Sequence, residues 1–201
     1  VLFRSKIISV ADLIRYRLRT ERYVRRLAES VVDTEYGPFR MIAYESDVDA
    51  GTHIALVMGD ITGEEPVLVR VHSHCLLGDV FASTRCQCHT LVHESLRQIG
   101  RAGRGVLLYL HQSGMGFTIE KPEGDAPARI VSHARPIPTS DEPEFARMVQ
   151  KESGIGAQIL SDLKLKTVRL LTNHPRKVVA LEAYGIKITE QVPLSKTPAN
   201  A

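Results

Sequence analysis

The chain has 201 residues, of which 43% are apolar, 24% charged and 5% aromatic, with a formal net charge of +3. These are the proportions of a folded domain large enough to bury a core without disulfide staples. There is no run of eighteen apolar residues and no charged-then-apolar leader, which speaks against a membrane partner, and a charge of +3 is too mild to mark nucleic acid. The thiols fall into one short stretch, the pattern of a reducing cytoplasm in which clustered cysteines serve metal or catalysis. The chain opens on Val1, in VLFRS, and is expected to be a fragment lacking its N-terminal part.

In chain order, residues 7–29 read as a helix opened at Ser9 or Asp12, arginine-rich and facing solvent. Beyond Gly37 the pattern changes to short β runs, FRMIAYES (39–46), HIALVMGD (53–60) and VLVRVHS (67–73), separated by DVDAG and TGEEP turns. LVHESLRQIGRAG (91–103) reads as a helix stopped by Gly103, and GVLLYLHQ (105–112) as a buried strand. The segment 117–143 carries Pro122, Pro127, Pro136, Pro138 and Pro143, so no helix runs through it, and it is expected to be irregular and mobile. The last third alternates again: helix 145–163, strand 167–173, helix 175–186, strand 187–194. The fold class is mixed α+β, an antiparallel β portion followed by α/β units.

All three cysteines, Cys75, Cys86 and Cys88, lie within HCLLGDVFASTRCQCH, flanked by His72, His74, His89 and His93. Cys86 and Cys88 point to one side if their segment is extended, and the turn at Gly78 and Asp79 brings Cys75 back toward them. Three converging thiolates suit zinc. Three ligands with an open fourth position describe a catalytic ion, whereas a fourth ligand from His74 or His89 describes a structural one, and both readings stay open. The bland alternative is three buried thiols acting as small hydrophobes. LLTNHPRKV is a second constellation. A strand ends at Thr172, Asn173 can cap, Pro175 fits a first helical turn, and Arg176 and Lys177 follow, as at an anion site or a capped surface helix.

Together these residues resemble the GTP cyclohydrolase II family of riboflavin biosynthesis. The likeness rests on PVLVRVHSHCLLGDVFASTRCQC, GRGVLLYLHQSG, SGIGAQILSDL and VRLLTNHPRKV with EAYGI behind it. It implies a cyclohydrolase II-like domain over 33–195, with a flexible C-terminus at 196–201. Residues 1–32 would then be a linker helix and the tail of a preceding 3,4-dihydroxy-2-butanone 4-phosphate synthase domain. It also implies hydrolytic opening of the imidazole ring of GTP with loss of formate and pyrophosphate. The implied cofactor is zinc on Cys75, Cys86 and Cys88, with magnesium optionally accompanying the nucleotide. GTP or a related nucleotide would be met by Arg70, Ser73, Gln112, Gly114, Thr172 and Lys177. The implied partners are a second copy in a homodimer and the synthase domain of the same chain.

The departures from the family pattern concentrate on chemistry. The Glu before the first cysteine is His74 here, C-D-C-G-x-Q reads C-Q-C-H-T-L with Leu91 in place of Gln, and R-Q-E-G-R reads H-Q-S-G-M with Ser113 and Met115. Val149 and Lys151 occupy the family's Asp and Arg positions. Valine transfers no proton, and lysine does not reproduce arginine's bidentate fork on phosphate. The expectation is a preserved metal scaffold with the usual turnover weakened or lost. Two alternatives stand beside it: a structural or regulatory half of a bifunctional synthase, or a zinc hydrolase for another nucleotide.

Overall fold

The computed structural model describes residues 9, 16–17, 20–47, 51–111, 117–120, 129–132, 154–173 and 179–194. Seven strands form one mixed sheet in the order β1-β2-β3-β5-β4-β8-β9. β1 (Val24–Thr34), β2 (Gly37–Ser46) and β3 (Thr52–Met58) make an antiparallel meander, and β3 runs antiparallel to β5 (Gly105–Leu110). β5, β4 (Val67–Ser73), β8 (Thr167–Leu171) and β9 (Lys187–Val192) are mutually parallel. The mixed α+β class expected from the sequence is the one observed.

Alternating strand residues feed two cores, one on each face. One face carries Ile42, Tyr44, Val67, Val69, Val106, Leu108 and Leu170, packed against Ile155, Ile159 and Leu160 of helix α3 (residues 154–162) and Leu181 of α4 (Val179–Ala183). The other carries Phe39, Met58, Leu68, Leu107 and Leu171 under Leu96 and Ile99 of α2 (Cys88–Ala102). A one-turn helix, α1 (Leu76–Asp79), precedes α2. β5 is apolar throughout because it is covered from both sides, the usual signature of a parallel strand.

Parallel neighbours need crossovers. The β4-to-β5 crossover carries α2 on one face. The β5-to-β8 and β8-to-β9 crossovers carry α3 and α4 on the other. The chain therefore leaves adjacent strands β4 and β8 in opposite directions, and a crevice opens at their carboxyl ends.

Three expectations need correction. Residues 16, 17 and 20 are helical, but the helix read through residue 29 gives way at Val24 to strand β1, paired with β2 from Val24–Ser46 to Thr34–Gly37, with a bulge between Arg26 and Ala28. β1 is an edge strand exposed along most of its length, so its arginines and glutamates imitate the solvated face of a helix. Within the proline-rich segment, β6 (Phe117–Glu120) and β7 (Arg129–Ser132) pair antiparallel, where irregular chain was expected. Cys86 and Cys88 do not lie on extended chain, because Cys88 opens α2. Helical stretches at 145–153 and 174–178, and the mobility of the rest of the 117–143 segment, lie outside the described residues.

Side-chain ties anchor the start of the domain to α3. Asp162 accepts from Arg26 Nε at 2.6 Å and from the Tyr44 hydroxyl at 2.9 Å. Buried Gln158 accepts the Tyr23 N–H at 2.7 Å and donates to the Glu21 carbonyl at 2.7 Å and the Tyr184 hydroxyl at 3.1 Å.

The exit of β3 rests on the end of α2. Gly59 and Gly103 both have left-handed φ, +68° and +65°, but a Cβ on Gly59 would overlap the Gly103 carbonyl whereas one on Gly103 meets nothing within 4 Å. Gly103→Ala is therefore expected to cost about 1–2 kcal/mol, the ordinary penalty of that backbone region. Gly59→Ala should cost that plus about 1–3 kcal/mol of crowding. Urea denaturation of the two variants checks the order, and equal losses would contradict it.

Candidate metal centre and nucleotide pocket

The cysteines converge at the carboxyl edge of the parallel strands. Cys75 follows β4 and stands at the start of α1, Cys86 sits in the turn after it, and Cys88 begins α2. Their sulfurs lie within 4.8 Å of one another, and Cys75 Sγ is 3.9 Å from Cys86 Sγ. Sulfurs around a tetrahedral ion at a Zn–S distance of about 2.3 Å are about 3.8 Å apart, close to the Cys75–Cys86 separation. Cys75 and Cys88 are buried and Cys86 is partly exposed, which leaves one approach to the group.

Burial raises the Cys75 and Cys88 thiols, and neighbouring sulfurs add to it. Without a cation the Cys75 and Cys88 thiols hold their protons. A divalent ion displaces them by making the thiolates the favoured form. Gly78 closes the cradle: a Cβ there would run into Cys86 Sγ and lie 2.7 Å from Cys88 Cβ and 3.0 Å from Cys75 Sγ.

Asp79 organises the rear of the site. Its carboxylate accepts the Cys75 N–H at 2.8 Å, the Tyr109 hydroxyl at 2.6 Å and His72 Nε2 at 2.9 Å. Burial opposes its charge, but the hydrogen bond and charge of His72, with the bonds from Tyr109 and Cys75, outweigh it and hold the pKa below the usual carboxylate range. Tyr109, raised by burial and by the bond to Asp79, stays protonated.

Because the Tyr109 hydrogen goes to Asp79, its oxygen accepts from His74 Nδ1 at 2.9 Å. Neutral His74 therefore keeps its lone pair on Nε2. His89 Nδ1 donates to the Asp79 carbonyl at 3.1 Å, with the same result. Neither His74 nor His89 joins the three-sulfur group, so among the described residues no fourth protein ligand completes it. Nearby, buried His53 accepts the His111 N–H on Nδ1 at 3.2 Å.

A pocket of about 140 Å³ occupies the crevice between β4 and β8, lined by Arg70, Val71, Gly156, Ala157, Leu170, Leu171, Thr172 and Leu181. Arg70 Nη1 donates to the Leu171 carbonyl at 2.9 Å, and the Thr172 N–H donates to the Val192 carbonyl at 2.9 Å. Crevices at the carboxyl ends of strands whose crossovers diverge are where open α/β sheets bind ligands. Arg70 and Thr172 meet in this pocket, and Ser73 is buried at the end of β4. Gln112, Gly114, Val149, Lys151 and Lys177 lie outside the described residues. Leu91 packs at the margin of the α2 core.

Gly78, Asp79 and Tyr109 were not singled out as site residues from the sequence. A signal for Asp79 existed: a carboxylate four residues after a candidate thiolate must find donors if it is to stay charged beside it. For Gly78 the signal is purely steric and needs the fold.

The fold and site define a class: a mixed-sheet domain with three clustered thiols and a crevice at its carboxyl edge. A family model described as GTP cyclohydrolase II matches residues 25–193. The chain belongs to that family.

Curated relatives include the riboflavin biosynthesis protein RibBA of Chlorobium phaeovibrioides, 44% identical over 98% of this chain and 47% of its own length. The protein of the same name from Bacillus subtilis is 44% identical over 94% of this chain and 47% of its own length. The chain thus spans about half the length of the curated relatives it matches. A crystal structure of RibBX, a two-domain 3,4-dihydroxy-2-butanone 4-phosphate synthase from A. baumannii, shares the fold with a TM-score of 0.58. It is 24% identical and covers 92% of this chain and 44% of that one.

Metal binding tests the cradle. The purified chain is expected to carry about one zinc per subunit, and Gly78→Ala should weaken it by about 10–100-fold while the far-ultraviolet spectrum is retained. Metal analysis with titration of free thiols measures both. A folded protein with three freely titrating thiols and no zinc contradicts the assignment, as does unchanged affinity in Gly78→Ala.

Proposed function

We propose that this chain is a zinc-binding, nucleotide-accepting GTP cyclohydrolase II domain in which the usual turnover is weak or lost. The observation that carries the reading is the convergence of the Cys75, Cys86 and Cys88 sulfurs over Gly78. Against that intact cradle, Leu91, Ser113, Met115, Val149 and Lys151 stand where the family has nucleotide-contacting and proton-transferring groups.

When bound, zinc supplies Lewis-acid activation of water for attack on the imidazole carbon of GTP. The chain's own residues divide the rest of the work. Asp79 fixes the Cys75 loop and the orientations of His72 and Tyr109. Arg70 and Thr172 present a cation and a hydroxyl to the crevice, with Ser73 nearby and Lys177, Gln112 and Gly114 assigned to the nucleotide by their motif positions. His74, which stands where the family has Glu ahead of the first cysteine, keeps a lone pair on Nε2, but Val149 offers no proton to a leaving group.

Binding without efficient turnover is the expected phenotype, in a cytoplasmic homodimer joined to a synthase domain and with magnesium optional on the nucleotide. The second reading is a structural or regulatory half of a bifunctional synthase. It is favoured by the chain spanning about half of relatives named for riboflavin biosynthesis, and by a structural neighbour that is a two-domain synthase. A hydrolase for another nucleotide is distinguished by testing a nucleotide panel.

Formate release from GTP by the zinc-loaded protein is expected to fall at least about 100-fold below that of an intact family member, the effect of losing one general acid–base group. Val149→Asp with Lys151→Arg and Met115→Arg should raise it. Robust formate production by the unmodified protein would overturn the proposal and direct attention to His74, His89 and His111, each testable by alanine substitution.

A further inference from the structure

α2 carries histidines at 89 and 93, one helical turn apart and therefore on one face of the helix. Their ring centroids lie 4.2 Å apart and the ring planes are tilted by 43°. Each ring is held by its Nδ1. His89 donates to the Asp79 carbonyl, which can only accept, so the lone pair of the neutral ring sits on Nε2. His93 Nδ1 is 2.9 Å from the Tyr36 hydroxyl, which can accept from it and leave His93 in the same tautomer. Burial lowers the His93 pKa and the neighbouring His89 lowers it further, which favours the neutral ring.

Two imidazoles at helical i, i+4 spacing, each tied through its second nitrogen to an oxygen of the protein, have the outer-partner arrangement of metal-ligating histidines. Ring centroids 4.2 Å apart keep both imidazoles within reach of one ion, which would sit about 2.0–2.1 Å from each ligating nitrogen. Imidazole pairs suit zinc, nickel and copper and are poor ligands for magnesium or calcium. Glu35, with Oε1 3.7 Å from His93 Nδ1, adds a negative neighbour, while Arg97, stacked over the Tyr36 ring, opposes a cation. The balance favours a moderate rather than a tight site.

We propose that His89 and His93 form a second metal site, coordinating a divalent transition-metal ion through their Nε2 atoms, separate from the three-sulfur centre one residue away. Solvent completes its coordination. The site lies beyond the family likeness, whose motif has glycine where this chain has His89.

The test uses the purified chain preloaded with one zinc on its thiols and freed of excess metal, titrated with nickel by calorimetry. One nickel per chain is expected. His89→Ala and His93→Ala should each weaken it more than 10-fold without release of the thiol-bound zinc, and Tyr36→Phe should weaken it by about 10-fold. Should a substitution unfold the chain, nickel protection of the unmodified protein against diethyl pyrocarbonate, mapped by mass spectrometry, reads the same site. Protection confined to His89 and His93 supports the proposal. Protection elsewhere, absence of nickel binding, unchanged binding in His93→Ala, or zinc release in His89→Ala each overturns it, the last by assigning His89 to the thiol centre.

Discussion

The parallel pairing of Leu68–Ser73 with Gly105–Leu110 is the constraint from which the rest of the site follows. Two parallel neighbours cannot be joined by a tight turn. The chain leaving β4 at its carboxyl end must travel the full height of the sheet before β5 can start. Residues 74–104 make that journey, and the return leg is α2. Every thiol of the molecule lies at the beginning of this crossover, so all three are delivered to one edge of the sheet. The same geometry places His72 of β4 and Tyr109 of β5 as register partners beneath Asp79. The pocket has a related origin, since β8 sends its chain away from β4 to the opposite face and leaves nothing between the two strand ends.

Charge explains why the rear of the site is built of donors. Asp79 is ionised although nearly enclosed, and three donors compensate it. A carboxylate and three sulfurs at one edge would repel one another as anions. Burial beside Asp79 keeps Cys75 and Cys88 protonated unless a dication joins them. Were a divalent ion to bind, its loading and the ionisation of the thiols would be a single event. Asp79 also sets ring orientations at a distance, directly for His72, through its carbonyl for His89 and through Tyr109 for His74.

The strands legible in the sequence were short runs rich in β-branched, aromatic and apolar residues bounded by turn signals, as in FRMIAYES and HIALVMGD. The helix ending at Gly103 was legible because a left-handed glycine stops it. Val24–Thr34 was misread because an edge strand with both faces wet carries no period-two signal, and its charges fit a solvated helix equally well. The gathering of the cysteines was readable from their clustering, although the path assumed for it, an extended Cys86–Cys88 segment, was not the one taken. The space over Gly78 could not be read from the sequence at all, because it is defined by atoms of Cys75, Cys86 and Cys88 brought together only in the fold. Nor does the sequence show Arg70 and Thr172 sharing a crevice until the order of β4 and β8 is known.

Gln158 fixes more than a local contact. Its one amide holds the backbone of Glu21 and Tyr23 and the hydroxyl of Tyr184, so the chain just ahead of β1 has a set position and a set heading. Gln158 belongs to α3, and its close neighbours on that helix, Gly156 and Ala157, line the pocket. The backbone at Glu21 and Tyr23 is thus fastened directly to the helix that forms one wall of the crevice.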